Sequence, residues 1–262
     1  MKKTVVVIVG LICIILATFL VINQQFHLLN KAKALVHVQQ KTNKPIQKKT
    51  LNIVAIGDSL TQGVGDEKNH GYVGATVEKL NQLKTVRHVN VANFAHKGDK
   101  TQDLQLVLKK DHVQDKLKQA NCIFMTIGGN DITGVLRTRL LNLKEQDFKN
   151  EQVAYVERLN TILKTIRKLN PKAPIFLFGL YNPFEDYFAD VNNHFVQILG
   201  DWNHETESTL AKYSNTVFIP TYKTFKGKGD KLLFEDHFHP NHEGYGLLSD
   251  LLFLKIKEDL SL

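Results

Sequence analysis

Residues 51–56, LNIVAI, form a short apolar run that stops at Gly57; Asp58-Ser59 and a polar, glycine-rich stretch to Asp66 follow. A run of this length, rich in branched residues and ended by a glycine, predicts a buried strand. A strand that breaks at Gly-Asp-Ser and turns into a helix start leaves Ser59 at the carboxyl edge of a sheet. Open α/β folds place their ligands at that edge. This junction constrains the chain more than any other feature, because it dictates a strand, a turn and a helix and sets a hydroxyl where they meet.

The rest of residues 51–262 repeats the alternation. Apolar runs at 51–56, 86–94, 122–127, 175–180 and 216–219 predict five strands. Helical patterns fill the intervals at 74–83, 101–118, 148–169 and 190–213, with a last helix over about 241–258. In 148–169 the apolar stripe runs through Val153, Val156, Leu159, Ile162, Leu163 and Ile166. Alternation of this kind predicts an α/β fold with a parallel sheet covered by helices. Right-handed crossovers make a flavodoxin-like three-layer α/β/α sandwich the economical topology. Residues 135–143, VLRTRLLNL, are additional apolar material, either a surface helix or a lid over a pocket.

Charge separates the two ends of the chain. Residues 1–50 carry eight lysines and no acid, which leaves 26 basic and 26 acidic residues in 51–262. A neutral body argues against a nucleic-acid-binding domain, which needs a basic surplus of its own. Residues 4–22 are 19 positions without a charge, preceded by Lys2 and Lys3. At helical rise they match a hydrocarbon core about 30 Å thick and exceed the apolar region of a cleaved signal peptide, about 7–15 residues. The expected organisation is a transmembrane anchor at 1–22, a lysine-rich tether at 23–50 and a body at 51–262. The short basic tail puts the body outside the cell membrane, single-pass. The tether is either a solvated spacer or lies against anionic head groups. Cys13 in the span and Cys122 in a core strand predict no disulfide.

A serine hydroxyl is a poor nucleophile until a base takes its proton. Asp236 and His239 supply the missing partners, three apart on a loop before the last helix. That spacing lets the carboxylate meet Nδ1 of the imidazole and leaves Nε2 for the hydroxyl. The third strand ends in Gly128-Gly129-Asn130-Asp131. Glycines there let backbone approach a substrate, and the Asn130 amide can face a developing oxyanion. Gly98, past the second strand, and Ser59 itself can add backbone N–H groups. Asp58 and Asp131 read as helix-start caps rather than reacting groups. His237 and His242 crowd His239, but a metal reading with Asp236 lacks a cysteine or second acidic cluster. His96, His112, His194 and His204 read as surface residues. No G-x-S-x-G elbow is present, and the glycine loop lacks the Lys-Ser/Thr of a nucleotide site.

Gly57-Asp58-Ser59-Leu60, Gly98, Gly128-Gly129-Asn130-Asp131 and Asp236-x-x-His239 together resemble, in order, the four blocks of the GDSL, or SGNH, hydrolases. The resemblance spans about residues 51–262. It implies ester hydrolysis through an acyl-enzyme, with Ser59 as nucleophile, His239 as base and Asp236 as orienting acid. Ser59, Gly98 and Asn130 would form the oxyanion hole, with no cofactor and no metal. The chain resembles anchored, lysophospholipase-like esterases of Gram-positive bacteria, and the expected substrate is a lipid or other acyl ester, with the anchor holding the site near acyl chains. Phe184, Tyr187 and Phe188 beyond the fourth strand favour an apolar acyl group or pack in the core. Deacetylation of cell-wall glycans and a non-catalytic binding protein are the alternatives.

Overall fold

The structure, a computed structural model, describes residues 18–33, 48–66, 68, 70–139, 144–185, 189–260 and 262. The chain divides into two units, Met1–Gln47 and Lys48–Leu262. In the first, residues 18–33 form a helix exposed along its length. The expected span at 4–22 lies mostly outside the described residues. Among the described residues no helix is long and apolar enough to cross a membrane.

The second unit is built on five parallel strands: β1 Lys49–Gly57, β2 Val86–Asn93, β3 Cys122–Thr126, β4 Ile175–Phe178 and β5 Thr216–Ile219. Their order is β2-β1-β3-β4-β5. β1 starts inside the expected tether. Its first two residues, Lys49 and Thr50, are polar and exposed, yet they pair with Val86 and His88 of β2.

Alternation along β1 feeds two cores. Leu51, Ile53 and Ala55 face Tyr72, Leu80, Tyr245 and Leu248, while Val54 and Ile56 face Leu104, Leu117, Leu159 and Ile162. Helices Gly71–Asn81 and His242–Leu260 cover the first face. Helices Thr101–Val107, Asp111–Gln119, Glu145–Leu169 and Ala189–Leu210 cover the second. The result is the three-layer sandwich that the alternating pattern predicts.

Two helical expectations change. The single helix at 101–118 is two helices, broken at 108–110. Leu104 and Leu108 lie out of phase with Val113 and Leu117 by about 140–180° of helical rotation, so one straight helix could not bury all four. At the break Lys109 and Lys110 donate to the carbonyls of Leu106 and Val107, three residues back, and the phase resets. In Glu145–Leu169 the stripe includes Phe148 and Tyr155, and Val153 is 61% exposed. Val153 sits about 200° around the helix from Tyr155 and so points to solvent. Of the additional segment, residues 135–139 continue the helix Gly129–Arg139 and Val135 joins the core. Residues 140–143 lie outside the described residues.

The chain passes from β1 to β2 on one side and then crosses back over β1 to β3 on the other, so the carboxyl ends of β1 and β3 flank the switch point of the sheet. A crevice opens there in folds of this order.

Candidate active site

β1 stops where Gly57 lies opposite Thr126. Gly57 has φ +125°, and a Cβ on it would fall 1.8 Å from the Thr126 carbonyl oxygen. No residue with a side chain fits. Asp58 then caps the short helix Ser59–Gln62, its carboxylate accepting from the Leu60 N–H at 3.1 Å. Ser59 is thereby the first helical residue and is buried.

A buried chain of hydroxyls braces this corner. Thr126 Oγ1 donates to Asp58 Oδ1 at 2.6 Å, so it must accept from Thr61 Oγ1 at 2.7 Å. Thr61 in turn accepts from Tyr72 Oη at 2.6 Å. Each hydroxyl has one proton to give, so the direction runs from Tyr72 to Asp58. Nothing in local sequence links these four residues.

Burial pushes the Asp58 carboxyl from 3.8 up to about 6, against the bonds from Thr126 and Leu60. Between those values the folded state holds a proton that the unfolded chain has released, so stability falls as pH rises through the window. The fall is about 3 kcal/mol. Asp58→Asn keeps an acceptor for Thr126 and Leu60 and removes the titration. It is expected to be more stable than the parent at neutral pH, with the difference shrinking toward about pH 4. Urea unfolding at the two pH values checks this, and an equal difference at both refutes it.

The loop from Phe234 to His239 is pinched shut at its base by the Leu233–Pro240 bridge and by the Phe234 N–H on the His239 carbonyl at 2.7 Å. It brings Asp236 and His239 to Ser59. His239 Nε2 lies 2.8 Å from Ser59 Oγ, and His239 Nδ1 lies 2.6 Å from Asp236 Oδ2. Asp236 Oδ1 also accepts from the N–H groups of His239 at 2.9 Å and Phe238 at 3.0 Å. Burial opposes charge on Asp236, but these bonds outweigh it and hold the carboxyl below its usual value. A carboxylate on Nδ1 selects the tautomer that leaves Nε2 as an acceptor for the serine proton.

Two further residues hold the loop. Tyr181 donates to the Phe238 carbonyl at 2.5 Å, and burial with the charges of Asp58 and Asp236 keeps its hydroxyl protonated. The Phe238 ring meets the His239 ring edge-on at 5.0 Å. Tyr181 lies just beyond β4 with no motif around it, so nothing in the local sequence marks it.

Of the three candidate oxyanion donors, Gly98 sits in the exposed turn after β2. Ser59 and Asn130 both line one cleft. Asn130 Nδ2 donates to the Asp99 carbonyl at 3.0 Å, joining the end of β3 to the turn that carries Gly98. Gly128 differs from expectation. A Cβ there would meet the Tyr155 ring at 2.8 Å, so its bare backbone makes room for the core, while Gly129 lines the cleft. Asp131 is also placed differently. It caps the start of another helix, accepting from the Thr101 N–H at 3.1 Å and hydroxyl at 2.6 Å, and pairs with Arg158 at 3.0 Å. His242 pairs with Asp66 at 3.2 Å. His96, His112, His194 and His204 are exposed.

From Ser59 the cleft encloses about 590 Å³ including its open mouth. Its walls include Ile132, Leu180, Phe184, Phe195, Leu199 and Phe238. Phe184 packs against Phe195 at 5.8 Å and Phe238 at 6.1 Å. Tyr187 and Phe188 lie outside the described residues.

A hydroxyl, an imidazole and a carboxylate in a row at the switch point of a five-stranded parallel sheet are the hallmarks of the SGNH class of hydrolases. Residues 55–247 match the model of the GDSL-like Lipase/Acylhydrolase family. The chain belongs to that family and is an ester-cleaving hydrolase. It is 36% identical over 84% of its length to YpmR of Bacillus subtilis (strain 168), an uncharacterised protein, covering 87% of it. It is 27% identical to the spore germination lipase LipC of Bacillus licheniformis, over 78% of this chain and 95% of that one. The lipase Lip_vut3 from a goat rumen metagenome superposes with a TM-score of 0.68 at 26% identity, covering 77% of this chain and 95% of that one.

Proposed function

We propose that the protein is a serine acylhydrolase that cleaves carboxylic esters with apolar acyl chains, lipid esters foremost, through an acyl-enzyme on Ser59. The observation that carries this reading is the Ser59–His239–Asp236 row, at 2.8 Å and 2.6 Å, at the foot of an apolar cleft. His239 Nε2 takes the hydroxyl proton as Ser59 Oγ bonds to the ester carbonyl carbon. Negative charge then collects on the carbonyl oxygen, where the N–H groups of Ser59 and Gly98 and the Asn130 amide receive it. One such donor is worth about 3–4 kcal/mol in comparable sites. Collapse breaks the ester C–O bond, and the imidazolium returns its proton to the leaving alcohol. Water, deprotonated by His239, repeats the sequence on the acyl-serine and releases the acid.

The walls of the cleft support an acyl chain rather than an acetyl group, because aromatic and aliphatic surface gains most from burying methylenes. LipC and Lip_vut3, both described as lipases, point the same way. The uncharged run at 4–22 behind Lys2 and Lys3 supports a membrane-held enzyme with its catalytic unit outside, near acyl chains.

A fluorophosphonate probe is expected to label Ser59, and labelling is expected to vanish in His239→Ala. Activity on p-nitrophenyl esters is expected to rise at least roughly tenfold from acetate to octanoate, given about 0.8 kcal/mol per buried methylene. A steep fall along that series would replace the lipid reading with glycan deacetylation. No labelling of the parent would leave a binding protein.

A further inference from the structure

We infer that Gln62 is a positioning residue for the oxyanion site, holding the 96–99 turn so that the Gly98 N–H stays aimed at the developing charge. The inference rests on the acylhydrolase reading and assigns a role to a residue outside its motifs.

The backbone N–H groups of the turn account for themselves one by one. His96 donates to the Gly57 carbonyl at 3.0 Å, Asp99 donates to the His96 carbonyl at 3.1 Å, and Lys97 donates to Gln62 Oε1 at 2.6 Å. Among the described residues the Gly98 N–H has no partner. Gly98 has φ +91°, and a Cβ placed on it meets nothing within 4 Å, so this backbone borders open space. The Ser59 N–H is likewise unpaired among the described residues, at the start of its helix. The two free donors are those that the mechanism needs.

Lys97 and Gly98 are exposed, so packing does not hold them. The turn instead depends on its tethers. Gly57 holds one end through His96, and Asn130 holds the other through the Asp99 carbonyl at 3.0 Å. Gln62 holds the middle, beside Gly98. Only an oxygen can accept from the Lys97 N–H, so the amide orientation follows from the bond. Gln62 is also the last residue of the helix that Ser59 begins. Nucleophile and oxyanion donor are therefore tied to one four-residue body. Gln62 is exposed and is not part of the cleft wall, so it acts through Gly98 rather than on substrate.

A donor contributes fully only within about 2.7–3.1 Å of the oxyanion, so slackening the turn weakens the transition state more than the ground state. With p-nitrophenyl octanoate, Gln62→Ala is expected to lower kcat about tenfold with KM within about twofold. Gln62→Met, of similar length but without a good acceptor, is expected to match Gln62→Ala. Gln62→Glu keeps an oxygen for Lys97 and is expected to recover most of kcat. A parental kcat in both acceptor-less variants, or failure of Gln62→Glu to recover it, overturns the inference. Ser59→Ala, run alongside, separates the two levels. If it is inactive while Gln62→Ala is unchanged, only the positioning role fails. If it stays active, the acylhydrolase reading itself fails.

Discussion

Ser59→Ala is expected to lower kcat for a p-nitrophenyl ester by about 10⁵–10⁶-fold with no loss of stability. The hydroxyl is the atom that bonds to carbon, and no other nucleophile among the described residues shares its contact with the imidazole. Its removal leaves the braces in place, since Asp58, Thr126, Thr61 and Tyr72 bond to one another and not to Ser59 Oγ. His239→Ala is expected to fall by a similar factor, and the double variant hardly further, because a hydroxyl without its base is no longer activated. The non-additivity is the informative result. Two losses that multiplied would mean that Ser59 and His239 act in separate steps. Steady-state kinetics on purified variants with urea unfolding decides the matter, and a Ser59→Ala protein with a few per cent of parental kcat would end the assignment.

Gly57→Ala is expected to abolish folding or destabilise by more than about 4 kcal/mol, the range in which a single change becomes diagnostic. Two penalties coincide at this position. A φ of +125° is a conformation that residues with side chains rarely adopt, and the new methyl would lie 1.8 Å from the Thr126 carbonyl oxygen. That oxygen cannot retreat, because it accepts from the Asp58 N–H at 3.0 Å. Moving Thr126 would also disturb its hydroxyl, on which Asp58 and Thr61 depend. Relief therefore requires parting β1 from β3 at the central pair of the sheet. Circular dichroism and urea unfolding check the expectation, and a variant within about 1 kcal/mol of the parent would show that the corner can relax.

Residues 51–262 show their architecture openly because β1 and β3 are central strands buried on both faces. Such strands appear in sequence as unbroken apolar runs, and the helices between them carry their own period. β1 began two residues early because its first residues are polar and exposed, and only pairing with β2 makes them strand. The break at 108–110 was hidden because each half of 101–118 is a sound helix by itself. Only the demand that Leu104 and Leu117 share one core separates them.

The site divides along the same line. Ser59, Asp236 and His239 were legible because nucleophile, base and acid belong to recurrent short blocks, one at a strand end and one on the loop before the last helix. The residues that hold them were not. Thr126 and Thr61 are 65 positions apart, Tyr181 and Phe238 are 57 apart, and Gln62 and Lys97 are 35 apart. A hydrogen bond across such distances leaves no periodicity in either segment. Asp131 shows the limit most plainly, since an acid at a helix start reads as a cap for its own helix and here caps the helix at Thr101.

By itself, then, the sequence determined the order of strands and helices, the neutral body behind a lysine-rich arm, and which side chains are chemically able to open an ester. Local composition and local period carry that information. Tertiary structure alone decided that Ser59 and His239, 180 positions apart, stand 2.8 Å from each other, and which buried hydroxyls and exposed amides keep them there. The reason is physical: a reaction geometry is a relation between distant segments, and only packing of the whole sheet and its helices sets their distances.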